Sequence, residues 1–491
     1  MSAASNAAEL LQALIGLEER QGLFERTLLG VPYWHAVRND VFQETLQALG
    51  IAERAHLRLE DMPARPLLPA KPAQWPEVAR RSLWLDAERA DLLVANHPRH
   101  LEAAGRYVCP YSQPLLDASS AGRVLLEGQF QGRYFHPSAD ETICYLDLAL
   151  IAAHGAFRTR ELCSRGFGAR ELGEIRALVV ELERTLGAAP PFASVLRRVR
   201  TAVLAMLGLT PLYERLLDRV QPKLVVEVIG YRLLHLVLTR VARRRGIPVA
   251  ELQHGSISGA HAGYAFGQHG IPDSFPDYLL LFGSAWRDAT PGLPLSAERT
   301  PAIGYAWLEQ QRAAQHRGAS RERRRILFLS QRAVGRELSK VAVELRRRTP
   351  AGALDIVYRL HPSEATGWRE AYPELASLTG DGVVVETADA RSLYASQADA
   401  DAQVGVHTTA LLEGIAFGVP SYVVALPGHE HMAAFTNLGL LRLVPDAAAL
   451  SAALDDAQEP LSPATVERVW RPNPSQAFAR FVASDLRCRR A

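Results

Sequence analysis

Three short segments place histidine, hydroxyl and carboxyl side chains directly after apolar runs, at turns where polar groups are presented rather than buried. In Val404-Gly-Val-His407-Thr408-Thr409-Ala-Leu-Leu-Glu413-Gly-Ile-Ala-Phe-Gly418-Val-Pro420 a strand is expected to end at His407. Leu411, Leu412 and Ile415 then take helical spacing until Gly418 stops the helix. Thr408 and Thr409 would stand at the helix N-terminus, where free N–H groups and the positive end of the helix dipole suit a phosphate. Glu413 lies one turn further on, where a carboxylate can accept hydrogen bonds from ribose hydroxyls.

The second segment, Asp355-Ile-Val-Tyr-Arg359-Leu-His361-Pro362-Ser363-Glu364, reads as a strand that ends by presenting His361 and is stopped by Pro362. A donor at His361, reinforced by Arg359, could stabilise charge growing on a phosphate leaving group. The third, Pro248-Val-Ala-Glu251-Leu-Gln253-His254-Gly255-Ser256, runs from a strand into a glycine turn. His254 could take a proton from a hydroxyl, because imidazole changes charge near neutral pH. Glu227, near the end of the run Lys223 to Val228, is a second candidate base. Ser330 and Gln331, after the run Ile326 to Leu329, lie where a loop would touch phosphates. Asp399-Ala-Asp401 has a metal-binding DxD spacing but precedes a strand, so it reads as a solvated helix end and no metal site is expected. Glu430 and His431 also follow a strand and could line the same crevice, whereas Trp34 and Arg38 are expected to brace N-terminal helices.

Positioning these residues requires alternating strands and helices, and the second half of the chain supplies them. Lys223 to Val228, Ile247 to Leu252 and Tyr278 to Phe282 read as strands around a helix from Leu233 to Arg245. Ile326 to Leu329, Leu354 to Leu360, Val383 to Val385, Gln403 to Val406 and Tyr422 to Val424 repeat the pattern beyond the basic stretch Gln311 to Arg325. Continuous apolar strands between helices imply parallel sheets covered on both faces, with ligands outside the carboxyl ends of the strands. Before this region come helical spacing up to about Gly50, a proline-rich stretch from Pro63 to Pro76, short runs at Leu92 to Ala95 and Arg123 to Leu126, and a long helical segment from Ala169 to Val220 broken near Pro190. The expected division is 1–310, 322–470 and a helical tail at 471–491.

The 491 residues suit two domains rather than one core. Lys plus Arg number 55 against 53 Asp plus Glu, so no overall field draws the chain to nucleic acid. Cys109, Cys144, Cys163 and Cys488 form no CxxC pair, which suits a reducing compartment. The residues after Met1 carry no secretion-signal pattern, and no apolar run reaches the roughly 20 residues of a membrane span. The expectation is a cytoplasmic chain whose membrane contact, at the inner face, is peripheral.

Gln253-His254-Gly255, Arg359-Leu-His361-Pro362 and His407-Thr408-Thr409 with Glu413 together resemble the signatures of bacterial capsule-type GT-B transferases. These include transferases for 3-deoxy-octulosonic acid and polysialic acid and, more distantly, teichoic-acid glycerophosphotransferases. The resemblance covers roughly Pro222 to Val424. It implies an α/β chain of two Rossmann-like domains facing a central cleft, here with a helical N-terminal extension, and a metal-independent glycosyltransferase of capsule or lipopolysaccharide synthesis. It further implies that His361, Thr408 and Thr409 contact the phosphate and nucleotide of the donor. The donor would be a nucleotide sugar used as substrate rather than cofactor, with CMP, UDP, GDP or dTDP linkage all open. The acidic Asp/Glu-Asp/Glu-Gly motif of many sialyl-type members has no clear copy here. The acceptor would be a glycan or a lipid-linked oligosaccharide. A nucleotide-sugar 2-epimerase, a CDP-polyol phosphotransferase and a non-catalytic carbohydrate-binding scaffold of the same fold are the rival expectations.

Overall fold

A computed structural model describes residues 6–51, 75–82, 87–97, 100–128, 135–146, 167–267, 271–315, 323–350, 352–456 and 461–488. Of the proline-rich stretch only Pro76 is among these, in the first turn of the helix Trp75–Arg80; Pro63 to Pro72 and Cys163 lie outside the described residues.

Two six-stranded parallel sheets form the framework. The first contains β1 (Leu92–Ala95), β2 (Arg123–Glu127), β3 (Ile143–Tyr145), β4 (Leu224–Val228), β5 (Val249–Leu252) and β6 (Tyr278–Leu280), in the order β6-β5-β4-β1-β2-β3. The second contains β7 (Arg324–Leu329), β8 (Leu354–Arg359), β9 (Val383–Glu386), β10 (Ala402–Gly405), β11 (Ser421–Val424) and β12 (Arg442–Val444), in the order β9-β8-β7-β10-β11-β12. Both follow the doubly wound order 3-2-1-4-5-6, which opens a crevice where the winding reverses. The switch falls between β1 and β4 in the first sheet and between β7 and β10 in the second. The expected α/β class with two Rossmann-like domains is therefore the fold observed.

The strands read as unbroken apolar runs because helices cover both faces. Every residue of β1, β4, β5, β10 and β11 is buried. Polar residues inside these runs consequently stand out, and each needs a partner. Gln403 in β10 donates to the Leu411 carbonyl at 2.6 Å and contacts the Ser421 hydroxyl at 2.7 Å. A Cβ at Gly414 would collide with the Gln403 amide, so glycine lets the helix Ala410–Ile415 lie directly on the strand.

The N-terminal extension is helical as expected. Ala7–Gln21 starts at Asn6, whose side chain accepts from the Glu9 N–H at 3.0 Å, and ends at Gly22 in the left-handed region. Leu10, Leu11, Leu14 and Leu17 are fully buried along one face. With Trp34–Ala48 this helix packs on Ala169–Leu186 and Phe192–Val220, sharing one core with Leu93, Val124 and Val225 of the first sheet.

The chain passes between the sheets through the helix Ala306–Ala314 and returns at Val469 to Arg471. The basic stretch Gln311 to Arg325 thus begins inside a helix, and its last residues, Arg324 and Arg325, already belong to β7. The Trp470 indole donates to the Leu412 carbonyl at 2.7 Å, and the Trp286 indole donates to the Val469 carbonyl at 2.9 Å. Phe282, Trp286, Tyr305, Phe435 and Trp470 pack around them at centroid separations of 4.8 to 6.1 Å. Trp470→Phe should keep the ring packing but lose the bond to Leu412, lowering stability by about 1–3 kcal/mol in a urea titration. Beyond this crossing, the last helix, Pro474–Cys488, lays Phe478 and Val482 against Leu92, Val94, Leu224 and Val226 of the first sheet.

Candidate functional site

The turn after β5 shows why glutamine and histidine stand side by side. Gln253 is buried, donates to the Gly255 carbonyl at 2.9 Å and accepts the Phe282 N–H at 2.8 Å, tying this turn to the end of β6. With the backbone so held, the His254 side chain stays 13% exposed among aromatic and histidine rings. The Tyr231 hydroxyl lies 3.3 Å from His254 Nε2 and the Tyr264 hydroxyl 3.4 Å from Nδ1. His97 and Tyr111 stand at centroid distances of 6.0 and 6.3 Å. Burial first, then the neighbouring His97, His261, His235 and Arg232, hold the His254 pKa well below its usual value. The ring is therefore neutral at physiological pH, the form that accepts a proton.

Glu227 takes a different place from the one its strand-end position suggested. It is fully buried, accepts from Thr239 Oγ1 at 2.9 Å, and has no partner at Oε1. A carboxyl sealed in this way does not reach a substrate, so the expectation of Glu227 as a candidate base is corrected.

In the second sheet the switch point is bridged by Gln331. Its side chain accepts the His407 backbone N–H at 3.0 Å and lies 2.9 Å from His407 Nδ1, joining the ends of β7 and β10. A Cβ at Gly428 would press on the other side of the His407 ring, where Gly428 has φ +93°, and His431 stacks edge-on at 5.8 Å. Thr408 and Thr409 follow. Thr409 is exposed and caps Ala410–Ile415 without a side-chain bond, while Thr408 Oγ1 accepts the Ala410 N–H at 3.3 Å.

His361 is exposed beyond the end of β8, which β7 separates from β10 by two strand spacings, about 10 Å. Its Nδ1 accepts the Ser363 N–H at 3.2 Å, and its own N–H donates to Glu364 Oε2 at 2.7 Å. Glu364 Oε1 in turn accepts the Tyr372 hydroxyl at 2.5 Å and the Ser330 hydroxyl at 3.0 Å. Ser330 is thus a buried support of the His361 turn rather than a phosphate contact. Arg359 is likewise corrected: it is buried, donates to the Arg391 carbonyl at 2.9 Å, and pairs with Glu386 at 3.4 Å across to β9. Its charge is used inside the second domain. Asp399, at the end of the helix Leu393–Ala398, and Asp401 are half-buried, and their carboxylates are used within the domain. Asp399 pairs with Arg391 and Arg325, and Asp401 accepts the Arg325 N–H at 2.8 Å.

Aromatic side chains missed in the sequence lead from the first wall toward the second. Tyr111 stacks on Tyr305, just before the crossing helix, at 5.5 Å with the rings 13° apart. Burial raises the Tyr305 pKa, and Tyr111, Tyr394 and Glu413 beside it add to the effect. Glu413 therefore faces this tyrosine seam, where burial raises its carboxyl to about 7. His97 could have been found by the strand-end rule, since it stands two residues beyond β1. Tyr111, Tyr231, Tyr264 and Tyr305 carry no comparable local signal. Among the described residues, no group of three or more His, Cys, Asp or Glu side chains is placed to hold a metal ion, and no helix is long and apolar enough to cross a membrane.

These features define an α/β protein with two Rossmann-like domains, in keeping with the GT-B layout, and with histidines at the carboxyl edges of both sheets. No family model matches the chain, and no curated protein matches it. Solved structures similar to it include a UDP-GlcNAc 2-epimerase from Methanocaldococcus jannaschii, at 10% identity and a TM-score of 0.47, covering 80% of this chain and 98% of that one. The glycosyltransferase SnogD from Streptomyces nogalater aligns at 18% identity and a TM-score of 0.42, covering 81% and 100%. The glycotransferase of kitacinnamycin aligns at 14% identity and a TM-score of 0.43, covering 82% and 96%. Likenesses of this degree assign no residue a role.

Proposed function

We propose that the chain is a glycosyltransferase that moves a sugar from a nucleotide-activated donor to a bacterial surface-glycan acceptor, a glycan or lipid-linked oligosaccharide, from the cytoplasmic side of the membrane. The observation that carries this reading is the neutral, partly exposed His254 at the carboxyl edge of the first sheet, in a ring-lined recess from which Tyr111 and Tyr305 lead toward Glu413 of the second domain. A neutral imidazole there takes the proton of an acceptor hydroxyl as it attacks the sugar. The nucleotide lies at the switch point of the second sheet, where Gln331 holds His407 and where Thr408 and Thr409 offer hydroxyls. His361, fixed through Nδ1, turns toward the phosphate that leaves. Ser330, Arg359 and Glu364 support these groups without touching the substrate.

The test needs no knowledge of the acceptor. CMP, CDP, UDP, GDP and dTDP are offered one at a time in a thermal-shift assay; at 100 times Kd the matching nucleotide stabilises the native state by about 2.7 kcal/mol. A rise of a few degrees with one of them is expected, and no response to any would overturn the reading in favour of a non-catalytic scaffold. With the donor known, His361→Ala should lower transfer by about 100-fold while its melting temperature stays at the wild-type value. Unchanged turnover would remove the phosphate role.

A further inference from the structure

The recess behind His254 contains two carboxyl groups that the transfer reaction leaves unused. Glu227 on β4 and Glu251 on β5 are direct partners in the parallel register, so both side chains leave the same face of the sheet. Glu227 is fully buried and Glu251 is 1% exposed. A Cβ built on Gly230 would lie 2.5 Å from Glu251 Oε2 and 2.7 Å from Glu227 Oε1, so the two oxygens crowd a position that only glycine leaves open. Their hydrogen bonding is unequal. Glu251 accepts the Tyr264 hydroxyl at 2.5 Å and the Gly230 N–H, whereas Glu227 accepts only from Thr239, with Oε1 unpartnered. Two buried negative charges this close do not coexist without cations between them. The better hydrogen-bonded member, Glu251, takes the charge and Glu227 keeps a proton.

Tyr264 connects this pair to His254. Its hydroxyl donates to Glu251 Oε1, which leaves its oxygen free to accept a hydrogen bond from His254 Nδ1–H at 3.4 Å. Direct contact is longer, with Nδ1 3.9 Å from Glu251 Oε1. We propose that Glu251 and Tyr264 are positioning residues that hold His254 in the Nδ1–H tautomer, and that protonated Glu227 keeps Glu251 ionised for that purpose. The inference rests on the reading of His254 as the base. When the acceptor proton reaches Nε2, the imidazolium keeps its Nδ1–H bond to the Tyr264 oxygen. Release of the Nε2 proton to solvent then returns the neutral Nδ1–H ring, with one proton gained and one lost, while Tyr264 and Glu251 keep their hydrogen bond. His97, His261, His235 and Arg232 stand around the ring and lower its affinity for a proton, whereas a carboxylate behind Tyr264 acts in the opposite sense.

The arrangement is tested on the full chain without substrate. In histidine 15N NMR, with the His254 signals identified by their loss in His254→Gln, the wild type should show the Nδ1–H tautomer at pH 8. Tyr264→Phe and Glu251→Gln, both close in shape to the native side chains, should convert it to a mixture containing Nε2–H. Infrared difference spectra at pH 8 should contain a protonated carboxyl band that disappears in Glu227→Gln. Stability supplies a second readout for Glu227. An acid whose folded pKa is raised contributes stability below its unfolded value and loses it as pH rises through the folded value. Removing the ionisable group should therefore raise the melting temperature more at pH 8 than at pH 5. An Nε2–H tautomer in the wild type, tautomers unaffected by Tyr264→Phe, or a carboxyl band that survives Glu227→Gln would each overturn the proposal. Transfer that persists in His254→Gln while these spectra behave as expected would instead sink only the assignment of His254 as base.

Discussion

His254→Ala is expected to lower sugar transfer by about 10²- to 10⁴-fold, the range contributed by a positioned general base. Its melting temperature should stay close to that of the wild type. The residue is suited to such a separation of effects because its turn is held by Gln253, not by its own ring: Gln253 bonds the Gly255 carbonyl and the Phe282 N–H, and neither contact involves the imidazole. The alanine side chain leaves space in a recess that is already partly open, so little packing is lost. The pH profile adds a check. Burial first, then the neighbouring histidines and Arg232, hold the His254 pKa well below its usual value, so wild-type kcat/KM should not fall between pH 7 and pH 6 through protonation of this ring. A variant that retains wild-type turnover, measured as nucleotide release with donor and acceptor present, would show that the base lies elsewhere.

Arg38→Ala is expected to destabilise the chain by about 3–5 kcal/mol, because it leaves a carboxylate buried without its cation. Arg38 is 1% exposed and Glu18 is fully buried. Arg38 Nε donates to Glu18 Oε1 at 2.5 Å and Nη2 to Oε2 at 3.0 Å, while the Trp34 indole donates to Oε1 at 2.7 Å. The same guanidinium donates to the Ala262 and Ala265 carbonyls and lies 4.6 Å from the centre of the Phe266 ring. It therefore ties the N-terminal helices to the loop that carries His261 and Tyr264, and the substitution should loosen the recess as well as the fold. The double variant Arg38→Met with Glu18→Leu removes both charges and should recover most of the loss. Equal urea midpoints for Arg38→Ala and the wild type would contradict this account. So would a double variant no more stable than the single one.

Local pattern made much of this architecture legible. Parallel strands buried on both faces must be apolar throughout, so β4, β5, β7, β8, β10 and β11 were visible as runs. The residues ending those runs, His254, His361 and His407, followed from the rule that such sheets present their chemistry at the carboxyl edge. The three-residue edge strands β3 and β12 were not visible, whereas β6, equally short, was, because the apolar run Tyr278 to Phe282 extends beyond it.

Which way a side chain turns at a strand end was beyond the reach of any run or spacing. Arg359 and Ser330 stood at the right positions, yet each points toward a carboxylate from another element, Glu386 for the first and Glu364 for the second. Glu227 was read at the end of its strand, but register with Glu251 and the cover of the helix Leu233–Arg244 enclose it. His97 and His254, more than 150 residues apart, come together because the winding reverses between β1 and β4. Composition, periodicity and turn residues act over a few neighbours and so specify elements and their ends. The partners of a buried charge come from strand order and helix packing, where a single crossover joins segments that share no local signal.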